Sequence, residues 1–359
     1  VKQYLKHFKL FGGRTIKTGI SVFLTALICS IFNLPVIFAV ITAVVTIEHT
    51  AVASIRKAAV RFPASAIGAL IAVLMYSMFG KGALTFGLAA MLTIGICHKL
   101  KLDEGILVAT ITAIAMIPDF GGSEIVSFIT RLGTTSIGIV VSTLVNFFLL
   151  PPNYTPTILQ NLHAMNKTSS QLLSSIILDI THTAKHKKAL TKRLHRQLTS
   201  RLERTENLLN FQREEWNYHR HSRKDLKQLV YVKEHLSLMH QLAHHLGNMI
   251  FAREASPSFS QSEVDLLQNL STHFEQTIMD DHHEISEEQF KLIEELDRLF
   301  WKWREEHIQK NYGFRHHFAS EVVLVYELLS FHDVLEEMNQ LTSKHRAHIM
   351  SNDEKKKKG

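Results

Sequence analysis

RFPASAIGALIAVL, residues 61–74, and RLGTTSIGIVVSTL, residues 131–144, decide how this chain folds. Each opens on an arginine and continues apolar. A shift of 70 brings Arg61 onto Arg131, Ile67-Gly68 onto Ile137-Gly138 and Leu74 onto Leu144. The same shift carries Ile41-Thr42-Ala43 onto Ile111-Thr112-Ala113, and Ile47 onto Ile117. Six apolar runs surround these matches: 16–32, 35–47 and 63–79, then 82–97, 106–117 and 133–150. The last three read as a second copy of the first three, although the first and fourth share hydropathy more than identity. Four runs approach the roughly 17–25 residues that a helix needs to cross a bilayer. Six such runs, almost free of charge, argue against the buried helices of a soluble core and for a membrane domain.

Three spans per copy is an odd number, so the second copy must lie upside down. Inverted repeats of this kind build alternating-access transporters, and short or interrupted spans point to their sites. The short pair here is the second and fifth. Pro35 opens the second, and Pro118, Gly121 and Gly122 follow the fifth. Proline removes a backbone donor and glycine frees the backbone, so both ends are expected breaks.

Charge divides the 359 residues unevenly. Residues 1–150 hold 12 Lys/Arg against 5 Asp/Glu, while the rest hold 28 of each, so the formal +7 lies wholly in the apolar half. An excess so placed fits cytoplasmic membrane flanks, and no nucleic-acid-binding motif accompanies it. With the N-terminus inside, Lys2, Lys6, Lys9, Arg14, Lys17, Arg56, Lys57, Arg61, Lys99 and Lys101 flank the spans on the cytoplasmic side. Only Lys81 and Arg131 lie outside. Both termini are then cytoplasmic. Cys29 and Cys97 sit in apolar runs, which excludes a disulfide framework and any metal-binding cysteine spacing. No cleavable signal peptide is expected.

Arg131 stands out, because it lies where basic residues are scarce. Guanidinium is always charged and grips carboxylates bidentately. Arg131 and its repeat mate Arg61 could draw anions from opposite sides, or could merely face headgroups and the inner surface. Glu48-His49 closes the second run and offers a proton relay, or an interfacial pair. Thr42, Thr46 and Thr112 could bond a substrate, or their own helices. Gly68 and Gly138 suit close helix packing.

Beyond Pro151-Pro152 the pattern changes. Apolar residues recur at three and four, as in Leu226, Leu229, Val230, Leu236, Met239 and in Val322, Val325, Leu328, Leu329, Val334, Leu335. These are amphipathic helices of a bundle. Breaks are expected at 219–223, 256–260, 280–287 and 311–314, with Ser286 capping the helix after the third. His240 and His244 have a metal-ligand spacing, but no supporting motif joins them or the pairs His282-His283 and His316-His317, so packed or solvated histidines are expected. The division is a six-span membrane domain at 1–152, a cytoplasmic bundle at 153–350 and a disordered basic tail at 351–359 that could touch anionic lipid.

The stretches GGRTIKTG, residues 12–19, and SIRKAAVR, residues 54–61, followed by Ile67-Gly68-Ala69, resemble the bacterial aromatic acid exporter family. That family is related to fusaric-acid-resistance-type membrane proteins and, more distantly, to plant aluminium-activated malate transporters. The resemblance covers nearly the whole chain. It implies efflux of organic anions through an oligomer, with a cytoplasmic helical domain and no catalytic motif; six spans are few to enclose a pathway, so a dimer is favoured. The expectation is thus an all-α exporter of organic, above all aromatic, carboxylates in the bacterial plasma membrane. Arg56, Lys57 and Arg61 would gather the anion and Arg131 would stand near its exit. No nucleotide-binding motif appears, so no cofactor is expected. A passive anion channel is the alternative within the architecture, and a membrane-anchored sensor or scaffold acting through the bundle is the alternative outside it.

Overall fold

The structure, a computed structural model, describes residues 12–117, 123–149, 153–181, 188–216, 223–254, 259–310 and 319–357. Among these residues the fold is all-helical. Two compact units form: Val1–Asn153 with Phe211–Arg220, and Tyr154–Asn210 with His221–Gly359. A short piece of chain from far beyond Pro152 thus groups with the apolar unit, which a single cut near residue 152 does not anticipate.

The first unit holds α1 (Gly13–Ile31), α2 (Val36–Thr46), α3 (Ala51–Phe79), α4 (Ala83–Lys99), α5 (Ile106–Met116) and α6 (Glu124–Phe148), with a 3-10 turn at Asp103–Gly105 before α5. Three of these, α1, α3 and α6, are long and apolar enough to cross a membrane. The 11-residue helices α2 and α5 are about 16 Å long at 1.5 Å per residue, roughly half a hydrocarbon core. Their apolar runs are therefore half-helices rather than full spans.

Two helices start well before their apolar runs. The third run opens at Pro63, but α3 begins at Ala51, capped by the Thr50 hydroxyl accepting from Ala53 N at 3.0 Å. Arg56, Lys57 and Arg61 are consequently helical residues, not loop residues. The helix passes through Pro63 and forgoes one backbone bond there. The helix of the sixth run likewise begins at Glu124, so Arg131 lies two turns inside α6.

The shift of 70 carries α1, α2 and α3 onto α4, α5 and α6, and it carries the packing too. Helix α3 packs on α5 as α6 packs on α2; α1 packs on α2 as α4 packs on α5; α1 packs on α6 as α4 packs on α3. A Cβ on Gly68 would drive into the carbonyl of Ala109, and one on Gly138 into the carbonyl of Ala39, 70 residues earlier. These glycines let a long helix touch the backbone of the other copy's half-helix. Equivalent residues meet between α3 and α6, where Ser65 Oγ lies 3.5 Å from Thr135 Oγ1. Reciprocal contacts, with a residue meeting its own equivalent, are what a two-fold relation between the copies requires.

The second unit comprises α7 (Thr155–Thr181), most of α8 (Lys188–Trp216), α9 (Arg223–Glu254), α10 (Gln261–Met279), α11 (Glu287–Lys310) and α12 (Ser320–Lys357). Its core joins Leu172 and Ile176 of α7, Met239 and Leu246 of α9, Phe274 of α10 and Phe331 and Leu335 of α12, each under 2 % exposed. The expected break at 280–287 separates α10 from α11, while those at 219–223, 256–260 and 311–314 lie wholly or largely outside the described residues. Ser286 Oγ accepts from Gln289 N at 3.2 Å as a cap should, but the Gln289 side chain turns to Thr277 and His332. The last helix runs to Lys357.

Candidate functional site

Helix α2 sets out two sites, one at each end. At its C-terminus the chain turns extended at Ile47. A helix leaves its last carbonyls without intrahelical partners, and in an apolar unit such groups must be met by other parts of the protein. Side chains meet them here. Arg61 Nη1 donates to Val45 O at 3.0 Å, Ser54 Oγ to Thr46 O at 3.1 Å and Arg14 Nη2 to Ile47 O at 3.1 Å. Asn146 of α6 donates through Nδ2 to Thr50 O at 3.1 Å and to Ser54 Oγ at 2.7 Å. Its own Oδ1 accepts from Lys17 Nζ of α1 at 2.9 Å. This network ties α1, α3 and α6 to the break.

The basic residues expected to gather anions are largely engaged with acids at this end. Arg61 is 6 % exposed, and its Nη2 lies 2.7 Å from Glu48 Oε1 while its Nε donates to Glu104 O at 3.2 Å. Lys57 bridges Glu48 at 3.5 Å and Glu104 at 3.0 Å. Arg56 is exposed one residue before it. Glu48 therefore belongs to an ion-pair cluster. His49 turns away and stacks on Phe211, with ring centroids 5.1 Å apart and planes 11° apart. The two residues suggested as a relay face different partners.

The N-terminal end of α2 is different in kind. Pro35 is the N-cap there and makes no side-chain cap hydrogen bond. Beside it a cavity of about 460 Å³ opens, lined by Pro35, Val36 and Phe38 of this end and by Met116, Thr130 and Arg131 among others. Arg131 is 5 % exposed. Its guanidinium carbon lies 3.8 Å over the Phe38 ring, and its Nη2 donates to Thr112 Oγ1 of α5 at 3.0 Å. Thr112 is in turn 3.1 Å from Ser65 Oγ. An always-charged group, an aromatic ring, the first turn of α2 and apolar walls border one opening. That donor set suits a carboxylate attached to an aromatic ring.

The remaining candidates separate cleanly. Thr42 and Thr46 bond back to Phe38 O and Thr42 O, at 2.9 Å and 2.7 Å, so their hydroxyls serve their own helix. Pro118, Gly121 and Gly122 lie outside the described residues, as do His316 and His317. His240 lies 3.8 Å from Glu206, and His244 contacts Asn248. Among the described residues no group of three or more His, Cys, Asp or Glu could hold a metal. Sequence reading missed Asn146, Lys17, Ser54, Ser65 and Phe38. A polar Asn and a Lys inside apolar runs were signals available for the first two.

Comparison with known proteins places these sites in context. Residues 9–149 match the family described as Aromatic acid exporter family member 1. A UPF0421 protein of Bacillus cereus is 42% identical over 346 residues, covering 96% of this chain and 97% of the relative. UPF0421 proteins of Halalkalibacterium halodurans and Staphylococcus haemolyticus are 34% and 35% identical, covering 96% and 89% of this chain and 93% and 96% of themselves.

Proposed function

This chain belongs to the aromatic acid exporter family, and from that premise we propose that it carries aromatic carboxylate anions out of the bacterial cell across the plasma membrane. The Arg131 cavity is the observation that carries this reading. Its volume of about 460 Å³ falls within the roughly 300–1,000 Å³ of small-molecule pockets. A carboxylate there would accept from the Arg131 fork and the first turn of α2, while its ring lies along Phe38 and the apolar wall. Basic excess at the Glu48 end makes that end cytoplasmic and the Arg131 end external, with both termini inside. The 70-residue repeat, with a half-helix in each copy, supports movement by exchange between the copies. We expect a homodimer, since so few helices enclose little on their own.

Uptake of benzoate into inside-out vesicles tests the proposal. Saturable uptake that responds to an imposed proton gradient supports a coupled exporter. Uptake equal in vesicles with and without the protein would end the proposal. Uptake by purified protein in liposomes that follows the benzoate gradient alone would make it a channel.

A further inference from the structure

The last turns of α8 carry an observation that the export pathway does not use. Residues 211–216 group with the apolar unit. A helix N-terminus is a natural seat for an anion, through its bare N–H groups and its positive end. Helix α3 has no acidic residue in its own first turn. Its acids come from 164 residues away. Ala51 N donates to Glu215 Oε1 at 2.6 Å, and Thr50 Oγ1 donates to Glu214 Oε2 at 2.9 Å. Glu215 is 2 % exposed, and its charge acts on the Lys17 ammonium. One turn earlier, Phe211 lies against His49. Phe211 and Glu215 are spaced i,i+4, so ring and carboxylate share one face of α8.

We propose that Phe211 and Glu215 form a built-in pseudosubstrate, a ring and a carboxylate of the chain's own, seated where an aromatic carboxylate would enter from the cytoplasm. The proposal rests on the export reading and names a regulation of it. The pieces fit the substrate class on both counts. A carboxylate occupies the α3 N-terminus, and an aromatic ring occupies the neighbouring imidazole face. A free aromatic carboxylate would compete for the same donors, and its apparent affinity would be divided by the fraction of molecules in which α8 has withdrawn. Transport would then stay low until cytoplasmic anion accumulates. The seat is chemically ordinary for a helix cap, and what distinguishes a competitor from a mere cap is that ligand displaces it.

Trp216, next to Glu215, is one of three tryptophans, so Trp301→Phe with Trp303→Phe leaves it as the sole reporter in the full-length protein. Its emission is read with excitation near the red edge, clear of benzoate absorption. Saturable red-shift with benzoate, and little with acetate at equal concentration, is the expected result. Phe211→Ala with Glu215→Gln should give the shifted spectrum without benzoate, and should lower the half-saturating benzoate concentration for vesicle uptake about tenfold. A protein that moves benzoate while Trp216 stays silent overturns the pseudosubstrate alone. So does an unchanged half-saturation in a folded double variant. A wild-type protein that moves no benzoate overturns the export reading, and the pseudosubstrate with it.

Discussion

Replacing Arg131 and Arg61 by glutamine, one at a time, separates a binding arginine from a structural one. Sequence makes them equivalent and their surroundings do not. Arg131 borders the cavity, so on the proposed binding mode its loss would remove a charge-assisted bond to the carboxylate, about 1.5–3 kcal/mol. The half-saturating concentration should rise about 10- to 150-fold, at the rate of tenfold per 1.4 kcal/mol. Arg131→Lys keeps the charge but loses the fork and the stacking on Phe38 at 3.8 Å, so it should fall between. Arg61→Gln instead strands Glu48, which Arg61 meets at 2.7 Å, and removes donors from Val45 O and Glu104 O. Breaking a buried pair costs about 3–5 kcal/mol, and Lys57 at 3.5 Å keeps the cost at the lower end. That is a fall of about 6–12 °C in melting temperature for a unit of this size. Vesicle uptake and thermal unfolding in detergent read the two effects. A stable Arg61→Gln protein with weakened benzoate affinity, beside an Arg131→Gln protein that melts early but transports normally, would invert the assignment and disprove it.

Gly68→Ala and Gly138→Ala should each cost about 3 kcal/mol or more, since the added methyl meets a backbone carbonyl that cannot step aside; melting temperature and folded yield in detergent report it. Asn146→Ala should destabilise by about 2–3 kcal/mol, because it strips Thr50 O and Ser54 Oγ of a buried donor and leaves the Lys17 ammonium only the carbonyl of residue 146; Asn146→Asp should restore the Lys17 contact but not the donors. His235 is 4 % exposed against Tyr231 and His283, and burial, with the nearby His283, holds its pKa down at about 3 against 6.5. The unfolded chain then binds a proton that the folded chain refuses between those values. Stability is full above pH 6.5 and is lost toward pH 3, by at most about 1.4 kcal/mol per pH unit from this residue. His235→Leu should flatten that acid slope in denaturant midpoints measured from about pH 7.5 to 5, whereas an unchanged slope would assign it to other groups.

Much of this architecture was readable from periodicity. The half-helices α2 and α5 coincide with the short apolar runs to within two residues, because Pro35 and the polar segment after Ile47 bound the first. The starts of α3 and α6 were not readable from hydropathy, since charged residues, Arg56, Lys57 and Arg61 in α3 and Glu124 and Arg131 in α6, interrupt their first turns. Charge on a helix flank looks the same as charge in a loop until Thr50 is seen to cap Ala53. The contact of α8 with Thr50 and Ala51 was beyond reach for another reason. Glu214-Glu215 is an ordinary acidic pair on a charged helix, and only a separation of 164 residues closed by the fold makes it a cap.

The unequal fates of the two arginines, by contrast, were within reach of the repeat itself. Carrying the shift of 70 from the arginines to their partners is enough. Arg61 meets Glu48, and it meets the backbone of Glu104 beside the Lys57–Glu104 pair. Seventy residues on from Glu48 stands Pro118, and seventy back from Glu104 stands Leu34. The copy around Arg131 thus has an imino acid and an aliphatic side chain where the copy around Arg61 has two carboxylates. What it has instead is Phe38, whose equivalent is Val108, and a threonine that both copies share, Thr42 and Thr112. In the first copy that threonine bonds its own helix; in the second it receives Arg131. Duplication conserved the arginine and the helix pair, and the divergence of three neighbours turned one cation into a strut and left the other at the wall of an aromatic cavity. A repeat therefore predicts the scaffold through its matches and the chemistry through its mismatches.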